Sequence, residues 1–438
     1  MHSRDSFFSF IPAGFQAASK IALNHADFGI YGIYLQKTDT KMRIPSISPL
    51  AALCILAFAS CEAGTGEKNF YIEKAETVMQ SIYSCYSVPG TFLLRENYPF
   101  DDRYSAGYLA SDEQASVPNP YSYLWPFSGT LSAATAIIES DPSYLDTLSG
   151  RVLPGLEEYY DVKREPHAYS SYIKSASSSD RFYDDNIWLG TDFTDLYLST
   201  SERQYLEKAE MIWRFVESGI DDVLGGGIYW CEQKKGSKNS CSNAPGSVFA
   251  LKLYKATGNP YYLEQGKMLY EWTRRTLLDT SDFLYFDNID LSGKIQTWKF
   301  AYNSGQMVQA GALLYGITGE DSYLEDAKKT ARSCYDYFFE DYAADDGSAF
   351  RIMKAGNTWF NAVMVRGFIE LYRADGDITY LDAVRRSLDT AWEKSRTGEG
   401  LFSDDCSGRK TNETRWLLVQ GAMAEMYARM AAVYPDAR

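Results

Sequence analysis

Histidine is the scarcest chemically useful residue in this chain. It occurs three times in 438 residues, and His2 and His25 precede the apparent mature start, which leaves His167 alone. A multi-histidine metal site and a serine–histidine–aspartate triad are both disfavoured on that count. No Cys-x-x-Cys pair occurs, so zinc-ribbon and dithiol readings fail. Long runs of one charge sign are also missing. The acid excess, a formal net charge of -15, is spread along the chain. It reads as a solvated surface and argues against a nucleic-acid partner, whose recognition rests on neutralising phosphates. Acid–base work therefore falls to carboxylates or tyrosines.

Aromatic residues are what the chain has in plenty, at 15% with 34 Tyr and 9 Trp. Helix interfaces absorb most of them. The functional alternative is a carbohydrate site, since the C–H faces of sugars stack on rings.

The N-terminal region reads as an address. Arg43 precedes an apolar stretch from Leu50 to Ala59, and Phe58-Ala59-Ser60-Cys61 resembles a lipobox. The stretch is too short for a comfortable membrane span. The expected organisation is an upstream extension over 1–41, a lipoprotein signal peptide over 42–60, a tether over 61–68 and one catalytic domain over 69–438. Cys61 is the expected lipidation site. This implies a bacterial envelope protein, periplasmic or at the cell surface, that meets the membrane only through its anchor. Oligomeric state is not readable. Cys231 and Cys241 bracket a polar loop, where a disulfide and a pair of thiols both stay open.

An internal repeat carries the fold. A Tyr-Leu or Tyr-Ile pair opens a helical pattern at Tyr71, Tyr144, Tyr205, Tyr262, Tyr323 and Tyr380, at intervals of 73, 61, 57, 61 and 57 residues. Apolar residues recur three and four apart within the copies. A second helical pattern and a tight Gly, Asn or Asp turn precede most of them. Such antiparallel pairs bury their faces only by stacking. The intervals exceed those of open solenoids, which fits an inner helix, an outer helix and a long return loop. A last pattern, Trp416 to Tyr434, supplies a closing helix. The predicted class is all-α, an (α/α)6 toroid of six hairpins with its site at the mouth where the long loops lie. The loop from Asp279 to Asn303 has room for a β-hairpin.

One segment points to chemistry: Phe182-Tyr183-Asp184-Asp185-Asn186-Ile187-Trp188. Asp184 and Asp185 fall at the start of the second inner helix. An acidic first turn is ordinary helix chemistry. Like charges this close, however, should drive one pKa up and the other down, which suits a nucleophile and a proton donor. Asp192 and Asp195, farther down the helix, read as partners in salt bridges or core hydrogen bonds.

The blocks YDDNIWLG, WCEQKKGSKNSCSNAPG, FDNID and FAYNSGQMVQAGALLY together resemble glycoside hydrolase family 76. The resemblance covers most of the chain from about residue 70. It implies an (α/α)6 fold and a retaining endo-hydrolase of α-1,6-linked mannan, as polysaccharide or oligosaccharide, that needs no cofactor and no metal. It assigns Asp184 as nucleophile and Asp185 as general acid/base. Expected substrate-binding residues are Trp125, Asn186, Trp230, Glu232, Asn243, Asp287, Asn288, Tyr302, Asn303, Gln306 and Trp359. Transglycosylation at α-mannosyl glycans and glycan capture without turnover are the competing functions.

Overall fold

A computed structural model describes residues 68–108, 118–177 and 179–437. The extension, the signal segment and Cys61 lie outside the described residues. Eleven long helices occur among those described: α1 (Phe70–Tyr86), α2 (Leu124–Ser140), α3 (Tyr183–Thr200), α4 (Arg203–Glu217), α5 (Ser240–Thr257), α6 (Pro260–Leu277), α7 (Ala301–Thr318), α8 (Asp321–Phe338), α9 (Thr358–Asp375), α10 (Thr379–Lys394) and α11 (Leu417–Val433).

They fall into two kinds, and burial separates them. Every residue from Ser240 to Leu253 of α5 is buried, as is every residue from Leu417 to Ala431 of α11. By contrast α8 buries only Ala327, Thr330, Ala331 and Cys334. A helix buried around its whole circumference needs neighbours on all sides, whereas one-sided burial marks an outer helix. The inner helices α2, α3, α5, α7, α9 and α11 pack each on the next, and α11 closes on α2. The α1 helix packs outside α11. This is the (α/α)6 ring.

One outer position departs from the expected pattern. The Tyr144 copy is not a regular helix but a chain of short turns from Pro142 to Tyr159, with a π-turn at Leu148–Val152. Pro154 has no N–H to give, and Gly155 lies so close to Phe127 that a side chain there would collide. Elsewhere the inner helices end in left-handed residues, Gly258, Gly319 and Gly376, before an outer helix begins. Ser201 takes the same conformation at the end of α3.

These tight turns mark one end of the ring. The long loops all deliver the chain to inner-helix N-termini at the other. The loop before α7 carries the expected hairpin, strands β2 (Phe286–Asp290) and β3 (Ile295–Lys299), which joins the short strand β1 (Ser237–Asn239) in the order β1-β2-β3. Closure is stapled at the mouth by Glu96. This buried carboxylate accepts hydrogen bonds from Tyr104, Tyr108, Asn119, Trp416 and the Tyr123 backbone. Next to it, Asn97 and Tyr98 pair with Trp416 and Arg415. Inside the ring, Arg366 forks onto Glu425 at 2.6 and 2.9 Å, Ser132 donates to Asp192, and Lys252 pairs with Asp195 at 2.6 Å. Buried charges are tolerated only when paired in this way. Cys231 and Cys241 are buried free thiols, which resolves that alternative.

The closing contact between α2 and α11 is made backbone to backbone. A methyl group on Gly421 would sit 2.7 Å from the Gly129 carbonyl carbon. Gly421→Ala should therefore destabilise the ring by about 1–3 kcal/mol, the usual cost of overpacking. Chemical denaturation measures it, and an unchanged midpoint would mean that α2 and α11 are not in close contact.

Candidate active site

The chain reaches α3 through an extended Phe182, which bridges Cys231 in the loop before α5. The Tyr183 amide donates to the Trp230 carbonyl at 2.9 Å. That register sets the Trp230 ring 5.0 Å from Phe182 and directs its indole N–H to Asp184 Oδ2 at 3.1 Å. The Asp185 amide donates to Asp184 Oδ1 at 3.1 Å. Cys241, in the first turn of α5, lies beside Asp184 and Tyr302. Asp184 and Asp185 both keep partial solvent access at the mouth.

Their proton affinities separate, though not as the dipeptide alone suggests. Both are raised, where one rise and one fall were expected. Surrounding protein removes water from both carboxylates, and this outweighs the favourable end of the helix dipole. At Asp184, hydrogen bonds from Cys241, Trp230 and backbone amides pull back toward the ionised form. At Asp185, burial and the charge of Asp184 both act upward. Asp184 thus ionises first and Asp185 holds its proton longer.

Around the pair the structure gathers some of the expected residues and reassigns others. Trp125 sits in the first turn of α2, edge-on to Trp359 at 5.6 Å and to Trp416 at 5.3 Å. Tyr302 stacks flat on Phe360, 4.0 Å between centroids. Asp287 is buried with its pKa pushed up to about 6 by desolvation, and accepts from Asn288 at 2.8 Å and Asn303 at 3.4 Å. Asn303 Oδ1 and the Trp359 indole nitrogen are buried without partners among the described residues. Buried polar atoms in that state call for water or a ligand hydroxyl.

Four expected binders do other work. Asn186 is fully buried, exchanges hydrogen bonds with both backbone groups of Tyr169 and donates to the Phe182 carbonyl. Asn243 clamps Ile228 and Asn239 in the same manner. Gln420 repeats the device on Phe402, so these amides pin incoming loops to inner helices and have no donor left for a sugar. Glu232 forms a two-pronged ion pair with buried Arg181, at 2.8 and 2.5 Å. Gln306 is buried and donates to Gln309 in its own helix. Sequence reasoning missed Cys241, treated only as a disulfide candidate, and also Glu96, Tyr108 and Phe360. No motif marks these last three, because only the closed ring brings residues so far apart in sequence into one wall.

The raised pKa of Asp185 is a stability cost at neutral pH. The folded state holds this proton more tightly than the unfolded chain does. Its contribution is therefore full at low pH and lost as pH rises through the folded value. Asp185→Asn removes the penalty. Its melting temperature should exceed that of the wild type at pH 8, with the gain shrinking toward pH 4. A gain independent of pH would show that Asp185 carries no such burden.

The sequence profile of Glycosyl hydrolase family 76 matches residues 98–350. Among solved structures, the family 76 mannosidase Bt3792 of Bacteroides thetaiotaomicron is 34% identical, with a TM-score of 0.76 over 84% of this chain and 100% of that one. The α-1,6-mannanase GH76A of Salegentibacter sp. HEL1_6, in an inactive variant bound to α-1,6-mannotriose, is 27% identical at a TM-score of 0.64, over 82% and 98% of the two chains. Mannan endo-1,6-alpha-mannosidase DCW1 of Saccharomyces cerevisiae is 25% identical over 150 residues, 32% of this chain and 33% of that protein. The match thus spans about one third of that curated relative. With the closed ring of hairpins, the paired aspartates at its mouth and this agreement across most of the chain, the protein belongs to glycosyl hydrolase family 76.

Proposed function

We propose that this protein is a retaining endo-α-1,6-mannanase, with Asp184 as nucleophile and Asp185 as general acid/base. The observation that carries the reading is the split environment of the pair. One carboxylate is held by donors that favour its charge; its neighbour, desolvated and beside that charge, keeps its proton to higher pH. The aromatic wall of Trp125, Tyr302 and Phe360, and the mannotriose bound by a structural relative, support a mannan substrate.

In the first step an Asp184 oxygen attacks the anomeric carbon, and the glycosidic C–O bond breaks as Asp185 passes its proton to the departing oxygen. The product is a glycosyl ester on Asp184. Asp185, now ionised, takes a proton from water. The resulting hydroxide adds to the same carbon, and the ester opens. Two inversions restore the original configuration, and both aspartates recover their starting states.

Asp184→Ala should abolish cleavage of α-1,6-mannan and of an aryl α-mannoside alike. Asp185→Ala should lose the polymer but keep measurable release of a phenol with a good leaving group, since that group departs without a proton. Wild-type rates on the polymer in either variant would sink the assignment, and products longer than the substrate would indicate transglycosylation. The pH profile of kcat/KM should be a bell with both limbs above the ordinary aspartate range, reporting the pair jointly. Trp230→Phe removes a donor from ionised Asp184 and should move the acid limb up by roughly one pH unit. An unmoved limb would detach Trp230 from the chemistry.

The leader reading belongs to the same proposal: Cys61 is acylated and tethers the enzyme to the envelope. Radiolabelled palmitate should enter the full chain expressed in a bacterium and be lost in Cys61→Ala. Equal labelling of both would contradict it.

A further inference from the structure

A row of aromatic rings continues past the candidate site. Tyr302 stacks on Phe360, Phe360 meets Phe300 at 5.4 Å, and Phe300 meets Trp298 at 6.4 Å. Exposure rises along the row, from 9% at Tyr302 to 54% at Trp298. Trp298 stands on β3, the edge strand of its sheet, with its indole more than half exposed. The strand is held firmly at its end, where Lys299 pairs with Asp279 at 2.6 Å and with Asp282 at 2.7 Å.

Beside this strand lies a cavity of about 330 Å³, lined among others by Phe300, Phe360, Lys354, Asn357 and Asn361. Of its two cations, Lys299 is neutralised by the two aspartates, whereas Lys354 donates to the Tyr337 carbonyl. Asn361 lines the cavity, and its side-chain amide makes no hydrogen bond within the described residues. The wall is therefore aromatic and polar, and the Lys354 ammonium on it has no carboxylate partner among the described residues. Ring faces beside an unbonded amide suit a sugar, whose C–H faces stack while its hydroxyls take hydrogen bonds.

We propose that Trp298, Phe300 and the adjoining cavity form a distal subsite that holds a mannosyl unit of a long chain, away from the scissile bond. This rests on the α-mannanase reading above. The row of rings gives the polymer a continuous surface from the aspartates to the hairpin, and Asn361 offers an amide to its hydroxyls. Short oligosaccharides that fill only the catalytic end do not reach Trp298. The subsite thus sets preference for chain length and leaves the chemical step alone.

Trp298→Ala and Trp298→Phe test this, with melting temperatures to confirm that the exposed change leaves the fold intact. Retardation in gels containing α-1,6-mannan should weaken about tenfold in the alanine variant, and KM for the polymer should rise by about the same factor. The kcat on polymer and kcat/KM on the trisaccharide should stay within twofold of wild type, and phenylalanine should restore part of the loss. Unchanged retardation and KM in an active enzyme would overturn the subsite alone. So would an equal loss on trisaccharide and polymer, because the effect would then lie at the catalytic centre. A wild-type protein that neither binds nor cleaves α-1,6-mannan would overturn the function reading, and the subsite with it.

Discussion

A helix buried on every side needs packing partners all around it, and here a closed ring supplies them. This constraint organises the molecule. The inner helices from α2 to α11 are buried around most of their circumference, so each needs a neighbour on both flanks and an outer layer behind it. Meeting that need around a circle points all six inner N-termini to one end, where the long loops return. The site is thus a by-product of the packing solution. Whatever occupies the first turns of the inner helices is gathered at one mouth.

The arrangement at that mouth costs stability. Asp184 and Asp185 are adjacent like charges with little water around them, which folding alone would not favour. They are held by amide clamps that recur around the ring: Asn186 on Tyr169, Asn243 on Ile228 and Gln420 on Phe402. Each fixes a loop backbone against an inner helix by hydrogen bonds in both directions. The clamp on Asn243 and the bridge between Phe182 and Cys231 bring Trp230 onto Asp184. Positioning of a reactive group by rigid backbone contacts keeps it ready without reorganisation.

Much of this was legible in the sequence, for a physical reason. Helical hairpins are local, so the Tyr-Leu copies and the turns between them expose the repeat directly, and the segment from Trp416 onward marks the closing helix. The exception at Tyr144 turned on Pro154 and on a contact between Gly155 and Phe127 that no local pattern reveals. Adjacent aspartates are likewise visible in a string of letters. Residues brought together only by closure are not: Glu96 accepts from Trp416, 320 positions away. Polar residues near a motif were read as sugar binders when Asn186, Asn243 and Glu232 are structural, because a sequence shows which groups are polar but not which backbone atoms already satisfy them.

The central claim is that two neighbouring aspartates act by double displacement, and the stereochemistry of the first product tests it most directly. Proton NMR of α-1,6-mannan digestion, followed from the earliest minutes, should show the α-anomer of the new reducing end before mutarotation brings in the β-form. Initial appearance of the β-anomer would mean a single displacement by water, and would contradict the roles given to Asp184 and Asp185.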